Sequence, residues 1–198
     1  MIVRLAALLL AAASALPAAA QDHARARQIV GGKCFLCHGM TGESSSEVYP
    51  RLAGQNAAYV AKQLRDFQAG RRKGTTMNDM VAGLSPEDME ALGRFYAEQK
   101  AEPHAPADAD LAAMGRYLYT KGNTLSGVAA CAACHGPKAA GTESLPRLAG
   151  QQAAYLEEQL KLFNKRERNN DNAVMHSVAS KLTALESRAL AEYLASLP

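Results

Sequence analysis

Apolar residues recur at every third or fourth position along most of the chain, and no segment shows the strict polar–apolar alternation that is typical of a β-strand. This period predicts an all-α fold. One predicted helix begins with Ser85 as N-cap and Pro86 in its first turn. Another begins at Thr183, with Glu186 completing a capping box. The predicted helices span residues 24–33, 56–69, 85–99, 111–121, 152–164 and 183–196.

The first apolar run differs from the others because it lies at the N-terminus and has no polar face. Residues 5–16 follow Arg4 and are ended by Pro17, and Ala18 to Ala20 provide the small residues of a cleavage site. The run is shorter than the roughly 20 residues that span a bilayer. We therefore predict that residues 1–20 are a cleaved signal peptide that exports the protein to the periplasm.

The rest of the chain consists of two similar copies of one sequence. Residues 50–67 read PRLAGQNAAYVAKQLRDF and residues 146–163 read PRLAGQQAAYLEEQLKLF, with twelve of eighteen positions identical. A repeat of this length at one fixed offset indicates a tandem duplication. The segment between the copies, residues 100–110, is rich in proline, alanine and acidic residues and is typical of a linker. We expect an N-terminal domain over residues 21–102 and a C-terminal domain over residues 103–198.

Each copy carries a pair of cysteines followed directly by a histidine. The first group contains Cys34, Cys37 and His38, and the second contains Cys131, Cys134 and His135. This Cys-x-x-Cys-His spacing is the attachment pattern of haem c, in which both thiols bond to the porphyrin and the histidine binds the iron. The motif therefore predicts two covalently bound haem c groups, with His38 and His135 as iron ligands.

Three other uses of the cysteines fit less well. The pairs lie too far apart for a usual zinc module. A thioredoxin-like dithiol expects a strand–helix–strand pattern, which the sequence lacks. Disulfides are allowed in an exported protein, but they would leave the adjacent histidines without a role.

The second axial ligand of each iron is predicted to be a methionine. Met175 is the only methionine after Cys134, and it stands eight residues before the N-cap of the last helix. Met77 stands eight residues before the N-cap of the corresponding helix in the first copy, whereas Met80 aligns with Val178. We assign Met77 and Met175, both in polar loops, as ligands and keep Met80 as the alternative at the first haem. A thioether ligand favours ferrous iron, so this coordination suits an electron carrier.

Several residues that recur in both copies could support the haem sites. A carbonyl near Pro50 or Pro146 could accept the ring N–H of the axial histidine, although a simple turn explains these prolines equally well. Arg51 and Arg147 could bind haem propionates or be ordinary solvated charges. We expect recurring aromatic residues to pack in the core or against the haem: Tyr59, Tyr155, Phe67 and Phe163. The histidines that do not recur are expected at the surface or in loops: His23, His104 and His176.

Charge excludes one class of function. The formal net charge is +3, and removal of the signal peptide takes away Arg4, so the mature chain is close to neutral. The two short basic clusters, at residues 71–73 and 165–168, are explained by solvated helix ends as well as by a nucleic-acid contact. We expect no nucleic-acid binding.

The two Cys-x-x-Cys-His motifs, the two PRLAGQ blocks and the spacing from methionine to the Leu-Ser or Leu-Thr pair closely resemble the dihaem cytochromes of the c4 type. The resemblance covers nearly all of the chain after residue 20. It implies that each half folds as a class I cytochrome c domain, that the haems lie near the domain interface, and that electrons pass through the periplasm towards terminal oxidases.

These observations predict an electron carrier rather than an enzyme. We expect a soluble or peripherally membrane-associated shuttle between a respiratory donor complex and a terminal oxidase. The chain is also similar to the haem-binding subunits of flavocytochrome c sulfide dehydrogenases, so an electron-accepting subunit of a dehydrogenase is the alternative. A dihaem peroxidase would need an exchangeable iron ligand. The longer stretch at residues 115–130 has no assigned function.

Overall fold

The computed structural model describes residues 18–102 and 105–198. Within these ranges the structure contains helices, turns and one isolated β-bridge between Asn123 and Val128, but no β-strand. A π-helical turn, Val30–Cys34, follows the first helix. The α-helices are α1 (Ala18–Ile29), α2 (Phe35–His38), α3 (Ala57–Gln68), α4 (Met77–Met80), α5 (Pro86–Ala97), α6 (Ala109–Lys121), α7 (Ala132–His135), α8 (Ala153–Asn164), α9 (Val174–Ala179) and α10 (Ala184–Ala195).

The predicted all-α fold is therefore confirmed, and the helix caps explain why its best-defined helices begin where they do. Ser85 accepts a hydrogen bond from the backbone N–H of Asp88, whose side chain accepts one from the backbone N–H of Ser85. Thr183 and Glu186 form the same reciprocal pair at the start of α10. These boxes satisfy N–H groups that no helical carbonyl can reach.

Each half of the chain has its own hydrophobic core. In the first half α5 packs between α1 and α3, and in the second half α10 packs between α6 and α8. Glycine allows the closest helix approach in both halves, because a Cβ at Gly93 would overlap the carbonyl oxygen of Ala57, and a Cβ at Gly115 that of Ala189. The two cores repeat the same helix arrangement, as expected for a duplicated sequence.

The predicted signal peptide lies mostly outside the described residues, since only Ala18 to Ala20 are described, as the first turn of α1. Pro103 and His104, within the predicted linker, also lie outside them. None of the described helices is long and apolar enough to cross a membrane.

The two halves contact each other through the loops that lead into α3 and α8. The backbone N–H of Arg51 donates to the side-chain oxygen of Gln151 at 2.8 Å, and the Gln151 amide donates back to the carbonyl of Arg51 at 2.9 Å. Arg147 and Gln55 form the same pair, with the same two distances. The arginine of each half thus binds the glutamine of the other half in the same way, which is the pattern of a two-fold contact.

The structure separates the two interpretations that the sequence allowed for the basic clusters. Arg72 and Arg168, read as part of solvated helix ends, are each only 8% exposed. Their guanidinium groups lie over the rings of Phe67 and Phe163, 4.5 Å from each centroid. The interpretation as solvated helix ends, one of two that the sequence left open, does not hold at these two positions because their side chains point into the contact between the halves.

Candidate haem-binding sites

The cysteine and histidine side chains of each motif lie on one short helical turn. In the first half Cys34 ends the π-helical turn and α2 carries Cys37 and His38. The turn stops at Gly39, whose φ of 72° is the left-handed conformation that glycine adopts without strain. Gly136 ends α7 with a φ of 78°. The chain therefore leaves each motif immediately after the histidine.

The thiols are available for bond formation. Among the described residues all four cysteines are free. Burial raises the pKa of the Cys34 thiol above its ordinary value and raises that of Cys131 to about 11. No cluster of three or more His, Cys, Asp or Glu side chains able to hold a metal ion lies in residues 18–102 or 105–198.

Both histidines are buried and oriented by a prolyl carbonyl. The Nδ1 of His38 lies 2.9 Å from the carbonyl oxygen of Pro50, and the Nδ1 of His135 lies 3.4 Å from that of Pro146. Because a carbonyl can only accept, Nδ1 carries the proton and Nε2 keeps its lone pair. Burial lowers the pKa of both imidazoles, which favours the neutral form that binds metals. The carbonyl contact anticipated from Pro50 and Pro146 is present in both halves.

The Met77 segment is a short helix rather than the loop expected from sequence. Met77 opens α4, is partly buried, and packs against the same hydrophobic core as Cys34. The neighbouring Asn78 fixes this segment, since its amide donates to the carbonyl of Phe67 at 2.5 Å and its oxygen accepts from the N–H of Gly74 at 2.8 Å. Met80, the alternative ligand, lies at the other end of α4 and is 39% exposed.

The Met175 segment is helical as well. Met175 is the second residue of α9 and is partly buried, and its N–H donates to a carboxylate oxygen of Asp171 at 2.6 Å. The next residue, His176, places Nδ1 3.1 Å from the carbonyl of Phe163. His176 thus occupies the role of Asn78 in the first half, and its ring is engaged with the protein backbone. Val178, the counterpart of Met80, borders the second core.

Buried polar atoms without partners test whether these residues fit a haem. Arg147 Nε and the Tyr96 hydroxyl are buried and make no hydrogen bond within the described part of the chain, whereas Arg51 Nε lies 3.2 Å from the Glu43 carboxylate. Arg51 is held by Glu43 and by the carbonyl of Gly150, so it is not the solvated charge that sequence also allowed. A cofactor that bears carboxylates suits the unpaired Nε of Arg147, and free thiols beside an oriented imidazole suit covalent haem. The residues present therefore fit haem c.

The recurring aromatic residues do more than pack. The hydroxyls of Tyr59 and Tyr155 accept hydrogen bonds from Arg168 and Arg72 of the opposite half. Sequence reasoning missed these arginines, although each follows its phenylalanine by five residues in both copies. It also missed Asn78, Asp171 and the backbone role of His176. Because their side chains differ between the copies, no repeat signal could have found them.

Of the remaining histidines, His23 lies on α1 and approaches Glu98 at 3.4 Å. His104 lies outside the described residues.

Comparisons with known proteins agree with this geometry. The cytochrome c family model matches residues 119–198. Cytochrome c4 of Thiocapsa roseopersicina is 40% identical over 170 residues, which cover 84% of this chain and 88% of that protein. A thiosulfate dehydrogenase electron acceptor of Thiomonas intermedia is 38% identical over 170 residues, covering 83% of this chain and 78% of that protein. The crystal structure of reduced recombinant cytochrome c4 from Pseudomonas stutzeri superimposes with a TM-score of 0.84 at 34% identity, covering 89% of this chain and 98% of that one.

Proposed function

Because this chain belongs to the cytochrome c4 family, we propose that it is a periplasmic electron carrier with one haem in each of two domains, residues 21–102 and 103–198. It is an electron-transfer protein rather than an enzyme, and it carries two covalently bound haem c groups. Within this family assignment, the proposal concerns which residues hold each iron, where the protein works, and which proteins it meets.

The first iron would be bound by His38 and Met77, and the second by His135 and Met175. The observation that carries this assignment is the pairing, in both halves, of a histidine oriented by a prolyl carbonyl with a partly buried methionine on a tethered short helix. The carbonyl accepts a hydrogen bond from Nδ1–H, which leaves the lone pair of Nε2 free and makes Nε2 a stronger electron-pair donor to a metal.

The haem iron, when bound, supplies one-electron chemistry. His38 with Met77, and His135 with Met175, would supply two ligands to each iron, which would keep water and substrates off the metal. The thioether favours the ferrous state and so raises the reduction potential. Burial lowers the pKa of both histidine imidazoles, which favours the neutral form that would bind the iron.

Axial variants test the methionine assignment. We expect Met77→Leu and Met175→Leu each to remove about half of the far-red absorption band that a methionine sulfur gives with ferric haem. Each should also lower the potential of one haem, because a favourable ligand of ferrous iron is lost. Met80→Leu is the matched control in the same short helix and should leave the band intact. Loss of the band in Met80→Leu, with the band retained in Met77→Leu, would contradict the assignment.

Haem number and export can be measured together. In a host that matures c-type cytochromes, the periplasmic protein should have the mass of residues 21–198 plus two haems, and a pyridine haemochrome assay should give two haems per chain. A product that retains residues 1–20 would refute the signal peptide, and a mass without haem would refute both covalent sites.

For the partners, we propose a shuttle from a respiratory donor complex to a terminal oxidase, either soluble or peripherally bound to the membrane. The reduced protein should be oxidised by membranes that contain the oxidase, and a specific oxidase inhibitor should stop this oxidation. The formal charge of +3 becomes smaller still when Arg4 is removed with the signal peptide. A weak salt dependence is therefore predicted, since steering by charge is limited.

A second candidate is favoured by one comparison, since the 38% identical relative is an electron acceptor for thiosulfate dehydrogenase. In this role the protein would accept electrons in a complex with a dehydrogenase, as the similarity to flavocytochrome c sulfide dehydrogenase subunits also implied. Purification from native periplasm separates the two. A stable complex with a dehydrogenase supports the acceptor role, and an isolated protein that the oxidase turns over supports the shuttle.

A further inference from the structure

Two buried arginines at corresponding positions carry an inference about how the halves depend on each other. Arg72 donates through Nη1 to Gln63 of its own half at 2.8 Å, and Arg168 donates through Nη1 to Gln159 of its own half at 2.7 Å. Each guanidinium also lies over a phenylalanine ring of its own half. Both side chains are therefore held in place before they reach across to the other half.

The remaining guanidinium donors cross between the halves. Arg72 Nη2 donates to the hydroxyl of Tyr155 at 2.9 Å and to Gln159 at 3.1 Å. Arg168 Nη2 donates to the hydroxyl of Tyr59 at 2.8 Å and to Gln63 at 3.3 Å. The two arginines exchange equivalent partners, so each half supplies one cation and one set of acceptors.

The acceptors are neutral, and this makes the bonds costly to lose. In the described part of the chain neither Arg72 nor Arg168 lies within salt-bridge distance of a carboxylate. A buried cation that depends on hydroxyl and amide oxygens has little compensation when one of them is removed. Burial raises the pKa of the Tyr155 hydroxyl, but the facing guanidiniums outweigh burial and hold that pKa below its ordinary value.

Both arginines are also joined to the segments that carry the methionines. In the first half the Asn78 amide donates to the carbonyl of Arg72 at 3.2 Å, and Asn78 adjoins Met77. In the second half Arg168 Nε donates to the side-chain oxygen of Asn170 at 3.3 Å, and the next residue, Asp171, binds the N–H of Met175. The methionine segments are therefore anchored to residues whose side chains end in the opposite half.

Asn170 strengthens this link for the second half. Its amide donates to the Asp66 carboxylate at 2.7 Å and to Gln63 at 3.0 Å, and its carbonyl accepts from Lys62 at 2.8 Å. All three partners lie on α3 of the first half. The stretch that leads to Met175 is therefore bound to the first half along several residues.

We infer that Arg72 and Arg168 are positioning residues, each of which holds the methionine segment of its own half against the opposite half. The coordination of each haem then depends on a tyrosine of the other half. This inference rests on the proposed ligation by Met77 and Met175. It provides a structural route by which a change at one haem domain alters the potential of the other.

Removal of single hydroxyls tests this dependence in the intact dihaem protein. Tyr155→Phe removes an acceptor of Arg72, and Tyr59→Phe removes the corresponding acceptor of Arg168. Tyr117→Phe is the control, because Tyr117 is 64% exposed on α6. The two reduction potentials are measured by spectroelectrochemical titration and assigned to each half with Met77→Leu and Met175→Leu.

We expect Tyr155→Phe to lower the ratio of reduced to oxidised haem in the first half by about threefold at a fixed potential, which is about 28 mV for a one-electron couple at about 59 mV per tenfold change. Tyr59→Phe should shift the second-half haem in the same direction, and Tyr117→Phe should shift neither. A looser methionine segment weakens the bond that favours ferrous iron, which sets the sign.

The outcomes separate the two proposals. Suppose that the far-red band is present. If each tyrosine variant shifts the potential of the haem in its own half at least as much as that of the haem in the opposite half, or shifts neither potential, the positioning role is overturned and the methionine ligation stands. If the parent protein lacks the band altogether, the methionine ligation is overturned and the positioning role falls with it.

Discussion

Replacing Gly115 by alanine tests the close helix packing of the second half. A Cβ at this position would overlap the carbonyl oxygen of Ala189, lie 2.5 Å from its carbonyl carbon, and lie 2.8 Å from the Cβ of Tyr193. Because carbon atoms pack at about 3.5–4.0 Å, α6 and α10 must move apart by about 1 Å. The obstacle is backbone, so a rotamer change cannot relieve it.

The free energy of unfolding follows from two opposing effects. Overpacking of this kind costs up to about 3 kcal/mol. Alanine in the interior of a helix stabilises the folded state by about 1 kcal/mol relative to glycine. The second half should therefore lose about 2 kcal/mol, which corresponds to a fall of about 8–16 °C in the midpoint of a domain of this size.

The assay is thermal unfolding of the holoprotein, followed by circular dichroism in the far ultraviolet. Ala113→Gly provides the matched control, since Ala113 is exposed on the same helix. That change should cost about 1 kcal/mol from helix propensity alone. If Gly115→Ala is as stable as the parent or more stable, helix propensity governs this position and the packing argument is refuted.

Three further predictions concern the cofactor, pH and the linker. Replacing Cys34 and Cys37 together by alanine should cost the first half its fold as well as its colour, because small cores need a cofactor for stability, and a protease-resistant first half would contradict this. Asp88→Asn should lower stability by about 1 kcal/mol at pH 7 and have no effect well below pH 3.8. The reason is that Arg25 and the helix cap depress the pKa of the Asp88 carboxyl in the folded state. The contribution of this carboxylate to the free energy of unfolding is therefore present above the unfolded pKa and is lost as pH falls through the folded pKa. Denaturant titrations at two pH values would show the difference. A protease site introduced after Ala105 should yield two halves that still elute together in gel filtration, and separate elution would show that the linker alone joins them.

Local signals in the sequence predicted most of the secondary structure. The capping residues at Ser85 and Thr183 act within one helical turn, so their effect can be read without knowing the fold. The helix predicted for residues 56–69 appears as Ala57–Gln68, and that for residues 152–164 as Ala153–Asn164. The predicted start of the first helix, at residue 24, falls within α1, which begins at Ala18.

The haem motifs were equally readable, since their chemistry depends on residues that are adjacent in sequence. The hydrogen bond from His38 to the carbonyl of Pro50 was predicted as one of two interpretations of this proline, the other being a simple turn. The methionine segments were expected as loops because they are polar, but tethering by Asn78 and Asp171 allows short helices there. The choice of Met77 over Met80 stays a prediction, which the partial burial of Met77 supports.

The contact between the halves could not be predicted from composition. Arg72 lies in a cluster of three basic residues, and such clusters are mostly solvated. Its burial depends on a phenylalanine beneath it and on Tyr155, which is far away in sequence. Tertiary contacts override the local pattern at this position, and the same holds for Arg168.

The reciprocal pairing of Gln55 with Arg147 and of Gln151 with Arg51 has a consequence for assembly. A surface that matches itself would accept a like half from a neighbouring molecule as well as the half to which it is covalently joined. The short tether makes internal association effectively unimolecular, at a local concentration on the order of millimolar. The covalent linker, rather than the identity of the contacting side chains, thus decides which two halves associate. A chain whose linker is too short to let its own halves meet should pair each half with a half of another molecule.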